Sequence, residues 1–336
     1  MESVERASAQ QLFQLPLEEL LARAWQVRVE HFGPHLDLAV PGARHYHTEH
    51  YANSPHRFAT ISLTGTACAL NCAHCEGQLL KSMYAAPTSE ALCELGRRLR
   101  AQGCEGVLLS GGADLRGAVP LHGHLPAIAQ LKEMGLQVIV HTGMPDGEIA
   151  RELHTAGVDQ VLFDVVGDED TIRAVLGLPY KPADYARALV GLREAGLSVA
   201  PHVVIGLHFG QLRGELNAIE IVREAGADVL VLVVLRPLPG TAMADAPLPG
   251  AEEVGRMVAV ARLLLPETPL ALGCIRPVGR ARVQMERLAV LAGANAVAYP
   301  APETVELAAE RGLAVRFLER CCTILDGEHT VHRAIS

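Results

Sequence analysis

Long apolar runs are missing from this chain of 336 residues: nowhere do 18 consecutive apolar residues occur, so no membrane-spanning helix is expected. Blocks of Lys or Arg are missing too, and the formal net charge is -9. That balance lacks the cationic attraction on which nucleic-acid and anionic-membrane binding depends, so neither is an expected partner; a small molecule or a protein substrate fits better. The opening MESVERASAQQLFQL has no basic segment followed by a long apolar stretch, so no secretory leader is expected and the reading is cytoplasmic. Low-complexity linkers are absent: the 31 Gly and 20 Pro recur between apolar runs instead of clustering, which favours one principal domain. Aromatics make up only 4% of the chain, but 49% is hydrophobic, ample material for one large core.

What the chain does have is cysteine, eight in all. A reducing compartment and uneven spacing argue against a disulfide framework and make metal ligation the better question. Cys93, inside the helix-like SEALCELGRRLRAQG, and Cys104 after it read as small buried residues. Six cysteines remain.

From residue 60 onward, short apolar or β-branched runs alternate with amphipathic stretches, the pattern of repeated βα units. Strand candidates fall near 59–65, 106–112, 137–143, 160–167, 198–206, 228–235, 269–274 and 296–300. The intervening segments, such as DYARALVGLREAG and ELNAIEIVREAG, end in Gly as a helix C-cap does. About eight such units predict a closed β/α barrel, with an open doubly wound sheet as the alternative. Three regions are therefore expected: an N-terminal helical extension at 1–58 covering the barrel bottom, the barrel at 59–313, and a cysteine-bearing tail at 314–336. His45, His47 and His50 in the extension invite a metal reading, but no cysteine lies near them in sequence.

The sequence CALNCAHC sets Cys68, Cys72 and Cys75 directly after the first strand of the series. A 4Fe-4S cluster normally takes four thiolates, so three from one tight loop leave one iron with an open position. Zinc is the alternative, yet structural zinc usually takes four ligands, and only one Cys-x-x-Cys pair is present. The C-terminal end of a barrel strand is also where barrel enzymes keep their chemistry.

This motif, with its place after the first strand, resembles the radical S-adenosylmethionine (SAM) superfamily. The fold implied is a TIM-type β/α barrel, and the cofactors implied are a 4Fe-4S cluster and SAM. His74 stands where family members usually carry an aromatic residue before the third cysteine. Ser110, Gly111, Gly112, Ala113 and Asp114 resemble the family's Gly-Gly-Glu region, which meets the methionyl amine of SAM; Ala113 replaces the usual Glu, with Asp114 one place later. By the same resemblance Asp164 is the candidate for the SAM ribose, and Gly206 and Leu235, with Pro237 beyond it, are candidates for the adenine. His141 and His202, on two of the strands, are candidates to contact SAM or substrate, or are ordinary core histidines. The chemistry implied is reductive cleavage of SAM to a 5'-deoxyadenosyl radical that removes hydrogen from an unactivated carbon. A one-electron donor such as ferredoxin or flavodoxin is implied with it.

Cys274 ends another strand, and Cys321 and Cys322 are adjacent in the tail. If the tail folds back over the barrel mouth, the three meet and hold an auxiliary iron–sulfur cluster, with Arg276, Arg280, Arg282 or Ser336 as candidates for a fourth ligand. Over most of its length the chain resembles the biotin synthase and lipoyl synthase group. Neither auxiliary pattern carries over, because the strands hold His141 and His202 where biotin synthase has cysteines, and no cysteine precedes Cys68. The combination of motifs resembles the biotin-synthase-like subunits of two-component lipoyl synthases. That resemblance implies a sulfurtransferase acting on a protein-bound octanoyl-lysine, a second radical SAM subunit and an octanoylated carrier protein. The alternative is a biotin-synthase-like or other radical SAM enzyme whose auxiliary cluster does not donate sulfur.

Overall fold

The computed structural model describes residues 8–325. Its strands are β1 (His35–Ala39), β2 (Phe58–Ser62), β3 (Tyr84–Ala85), β4 (Gly106–Ser110), β5 (Gln137–His141), β6 (Gln160–Asp164), β7 (Val199–Ile205), β8 (Leu230–Val234), β9 (Leu270–Leu272), β10 (Ala296–Ala298) and β11 (Ala314–Leu318). The helices are α1 (Ala9–Phe13), α2 (Leu17–His31), α3 (Ser89–Ala101), α4 (Leu125–Glu133), α5 (Gly147–Thr155), α6 (Glu169–Thr171), α7 (Pro182–Glu194), α8 (Glu215–Ala225), α9 (Ala251–Leu264), α10 (Arg280–Leu291) and α11 (Pro302–Glu310). None of them is long and apolar enough to cross a membrane.

All strands join one parallel sheet in the order β11-β1-β10-β9-β8-β7-β6-β5-β4-β2-β3. All eight strand candidates are present, and the sheet curls as a TIM-type β/α half-barrel; its edge strands β11 and β3 do not pair, so the ring expected to close stays open there. Three strands were not foreseen. β1 comes from the segment read as a helical extension and β11 from the segment read as a tail; they pair with each other and, through β1, with β10. The sheet thus runs beyond 59–313 at both ends. The helical pattern near the start forms α1 and α2, and α2 packs against α9 and α10. Its Arg28 is buried and donates to the Gly33 and His35 carbonyls, fixing the turn into β1.

Strand side chains alternate between two cores, as period-two geometry requires. On β8, Leu230, Leu232 and Val234 face the helices, while Val231 and Val233 face the lumen. The same parity puts Ile139, Leu162 and Ala200 in the lumen, and two residues further on it delivers His141, Asp164 and His202 there. Lumen positions on β7, β9 and β10 are small: Ala200, Ala271, Ala296 and Ala298. Glycine at 273 extends this row; a Cβ there would lie 2.4 Å from a Val233 methyl. Small residues on this side and polar ones at the upper ends of β5–β7 leave room for ligands at the mouth.

Candidate functional site

Cys68, Cys72 and Cys75 sit in the loop after β2, folded back on itself by bonds from the Cys75 and Glu76 amides to the Cys72 carbonyl, at 3.1 and 2.9 Å. Two neighbours hold this loop. The Ala69 amide donates to the Ala113 carbonyl at 2.8 Å, and the Ala73 amide to the Val175 carbonyl at 2.9 Å. The seat under it is Gly112: a Cβ there would fall 1.9 Å from the Ala67 carbonyl oxygen, and no side chain fits that gap. Thr64 completes the junction by accepting from the Gly112 amide at 2.7 Å.

Burial pushes the Cys72 thiol up to about 12, with the neighbouring Cys75 and Cys68 sulfurs adding to the effect. Cys75 is raised for the same leading reason. Desolvated in this loop, the Cys72 and Cys75 thiols favour the protonated form until iron supplies positive charge. His74 adds a second observation: its Nδ1 is buried without a hydrogen-bond partner. A polynuclear iron group suits this donor set.

Around the lumen, His141 Nε2 lies 3.5 Å from Asp164 Oδ2, and the His141 and His202 rings are 5.8 Å apart. Burial alone would raise the Asp164 carboxyl, yet the charge and hydrogen bond of His141, with His202 and His74 behind it, hold it down to about 2. Burial likewise opposes the His141 imidazolium, and the Asp164 carboxylate overcomes it, so its pKa is raised. His202 is lowered by burial to about 4, and its Nδ1 is bonded to the Ala200 carbonyl at 3.0 Å, leaving Nε2 for the lumen. Half of the Asp164 side chain is exposed although protein surrounds it, so the surface it shows is that of the lumen.

The remaining residues named from sequence have definite places. Asp114 uses its carboxylate within its own turn, accepting from the Arg116 and Ala118 amides at 2.8 and 3.0 Å. Ser110 ends β4 on the lumen face and Gly111 lies against Thr64. Leu235 is buried, its amide tied to the Ile205 carbonyl. Gly206 has φ +80°, and its amide donates to Glu215 Oε1 at 2.8 Å. Glu215 was not foreseen. It is a buried carboxylate that also accepts from the Arg213 amide at 2.6 Å and so fixes the loop between β7 and α8. A signal existed in the lone carboxylate that opens α8, nine positions past Gly206.

The second cysteine set lies within mutual electrostatic reach. Cys274 follows β9, and the segment after β11 turns down into the lumen, where the Thr323 carbonyl accepts from Gln160 at the start of β6 at 3.3 Å. Cys322 is buried there among Tyr46, Phe58, Val231, Val233 and Tyr299, with Cys321 packed alongside. The hydrogen bond from Cys322 holds Cys321 down to about 6 against burial; the same bond, with burial, pushes Cys322 well up. Cys274 is raised first by burial and then by Cys321, although its side chain is exposed by area. Both facts hold for a thiol enclosed by protein and open to the lumen. The field of Cys321 also reaches His141, so one lumen links the two cysteine sets.

Two candidates for a fourth ligand are committed elsewhere. Arg276 donates to Glu286 Oε1, to the Gly273 carbonyl at 2.7 Å and to the Ala298 and Tyr299 carbonyls, and Arg282 pairs with Glu286 at 2.7 Å. These arginines brace the Cys274 loop. Arg280 is exposed at the start of α10, and Ser336 lies outside the described residues. Among the described residues no group of three or more His, Cys, Asp or Glu closes around a single metal ion. That holds for His45, His47 and His50 and equally for Cys68, Cys72 and Cys75 and for Cys274, Cys321 and Cys322; the cysteine sets differ from the histidines in carrying the thiol donors that iron–sulfur clusters take.

Residues 62–217, from the end of β2 into α8, match the domain of the radical SAM superfamily. That domain implies a 4Fe-4S cluster and SAM as cofactors. The chain is 28% identical to the biotin synthase of Methylococcus capsulatus over 316 residues, 88% of this chain and 85% of that protein. It is also 28% identical to the biotin synthase of Burkholderia ambifaria over 310 residues, 86% of this chain and 80% of that protein. Among solved structures, methylornithine synthase superposes with a TM-score of 0.60 at 18% identity, covering 90% of this chain and 86% of that one. The FeFe-hydrogenase maturase HydG from Carboxydothermus hydrogenoformans gives 0.64 at 17% identity, covering 94% and 77%. These two structures share the fold.

Proposed function

We propose that this radical SAM enzyme inserts sulfur at an unactivated carbon in the manner of biotin synthase, using Cys274, Cys321 and Cys322 to hold a second, sulfur-bearing cluster. The relatives named above are biotin synthases, and the reading moves with them, away from the lipoyl-synthase subunit that the motifs suggested. A one-electron donor such as ferredoxin or flavodoxin is the partner this chemistry requires; a second radical SAM subunit and an octanoylated carrier belong to the lipoyl reading and do not enter here.

When bound, the first cluster and SAM supply a carbon radical able to remove hydrogen from an unactivated carbon. The chain's own residues do the rest. Cys68, Cys72 and Cys75 would furnish three thiolates to that cluster. Gly112 seats their loop, and Asp164 stands beside it with its charge held by His141. The buried Glu215 keeps the Gly206 backbone in place as one wall of the nucleoside site. The aliphatic lumen below excludes water from the substrate.

A single observation supports the proposal: the segment after β11 enters the lumen with Cys321 and Cys322, within electrostatic reach of Cys274 at the end of β9. Iron and sulfide quantitation with Mössbauer spectroscopy on the wild type and on the Cys68→Ala/Cys72→Ala/Cys75→Ala variant tests it. Cluster signal is expected to survive in the variant, and sulfide is expected to fall during wild-type turnover. Complete loss of iron in the variant sinks the two-cluster reading; a second cluster that keeps its sulfide moves the enzyme to a reaction in which that cluster donates no sulfur.

A further inference from the structure

We propose that Arg44 is a positioning residue of the second cysteine centre, a fixed cation laid over Tyr299 that sets the reduction potential of the cluster held by Cys274, Cys321 and Cys322. This rests on the reading that those cysteines hold a cluster.

The geometry begins with Tyr299. The register of β9 on β10 pairs Leu272 with Val297, which carries the next residues, Cys274 and Tyr299, to one stretch of rim. Tyr299 adopts φ +45°, the left-handed region that a bulky residue occupies only when its surroundings impose it. Its ring packs with Cys322 and Cys321, and its hydroxyl donates to the Pro41 carbonyl at 2.7 Å. The Arg44 guanidinium stands 5.0 Å from the centroid of that ring, within cation–π range.

The loop carrying Arg44 is framed from inside. The Asn53 amide group donates to the Val40, Pro41 and Arg44 carbonyls at 3.0, 3.1 and 2.9 Å, and its oxygen accepts from the Tyr46 amide at 2.9 Å. The Tyr46 hydroxyl reaches the Pro300 carbonyl at 3.1 Å. A surface loop this tightly bonded holds its arginine over one spot and lowers the entropy lost in keeping it there.

Charge sets Arg44 apart from its neighbours. In a chain with 38 acidic and 29 basic side chains, Arg57, Arg276, Arg282 and Arg316 each have a carboxylate within ion-pair distance. Among the described residues Arg44 has none. The positive charge of Arg276 is offset by Glu286; that of Arg44 is not. Reduction adds negative charge to a cluster, and a nearby cation favours the reduced form; net charge and solvent exposure are the established levers on such potentials.

The test is an EPR-monitored redox titration of the second cluster alone, in the Cys68→Ala/Cys72→Ala/Cys75→Ala background, with Arg44→Gln and Arg44→Lys added in turn. Arg44→Gln is expected to keep its iron and shift the potential to more negative values, and Arg44→Lys to stay near the parent. Iron retained with an unmoved potential in Arg44→Gln overturns the assignment. Iron lost in Arg44→Gln and recovered in Arg44→Lys supports it, whereas iron lost in both overturns it as a matter of charge. A background variant that binds no iron before Arg44 is changed overturns the two-cluster reading itself and this assignment with it.

Discussion

The two cysteine centres of this protein are built in opposite ways. The first is local: Cys68, Cys72 and Cys75 share one loop whose bonds to Cys72 close within a few residues, so its spacing alone specifies a ligand set. The second is assembled at long range, from the end of β9 and from a segment that passes β11 before it turns into the lumen. A short loop restricts its own conformations, whereas bringing positions 274 and 321 together orders a long stretch of chain that only the finished barrel repays in buried surface. The second centre should therefore depend on the fold, and the first on its immediate seat.

The largest expected effect separates the centres by function. Cys72→Ala should abolish SAM cleavage, read as 5'-deoxyadenosine formation, while leaving the second centre's iron in place. Cys322→Ala should leave SAM cleavage within a few-fold of wild type and abolish sulfur transfer to product. Equal loss of SAM cleavage in both variants would break the comparison.

A smaller effect tests the seat. Gly112→Ala forces a methyl group against the Ala67 carbonyl. Overpacking of this kind costs about 1–3 kcal/mol, and here it displaces the cysteine loop from β4. First-centre iron should fall while second-centre iron persists, a difference that iron analysis and Mössbauer spectra measure; normal first-centre loading would show that Gly112 does not seat the loop.

The smallest effect concerns the pair that stands between the centres. His141 has a raised pKa in the folded protein, so its contribution to stability is complete below the unfolded value of about 6.5 and is lost as pH rises through the folded value. Asp164 has a lowered pKa, so its contribution is complete above about 3.8 and is lost as pH falls through about 2. The pair is intact between roughly pH 4 and 6.5. Asp164→Asn should lower the His141 titration midpoint, seen by NMR in the metal-free protein, and remove the pair's loss of thermal stability as pH rises above about 6.5 or falls below about 4. An unmoved His141 midpoint would dissolve the pair.

Much of the barrel was legible because apolar runs and glycine-ended helices repeat in register from residue 60 onward. The short additional strands were not. β1 and β11 pair with each other and reach the sheet through β10, and a five-residue strand inside a region of mixed pattern carries too little periodicity to stand out. Glu215 was hidden because one carboxylate at the start of a helix reads as dipole compensation; its burial under Gly206 is visible only in three dimensions. Asp114 shows the reverse, since the motif suggests a ligand contact where the turn consumes the carboxylate.

By itself the sequence determined the repeated βα architecture and the first cysteine set, because both are written in short-range spacing: period-two strands, 3.6-residue helices and three thiols within one loop. Only the tertiary structure decided that the last segment enters the lumen with Cys321 and Cys322, that Arg276 and Arg282 are spoken for by Glu286, and that Arg44 stands over Tyr299. Such contacts join residues far apart in the chain, and no local periodicity encodes them; they exist because forming the barrel buries enough apolar surface to outweigh the entropy of ordering the segments that make them.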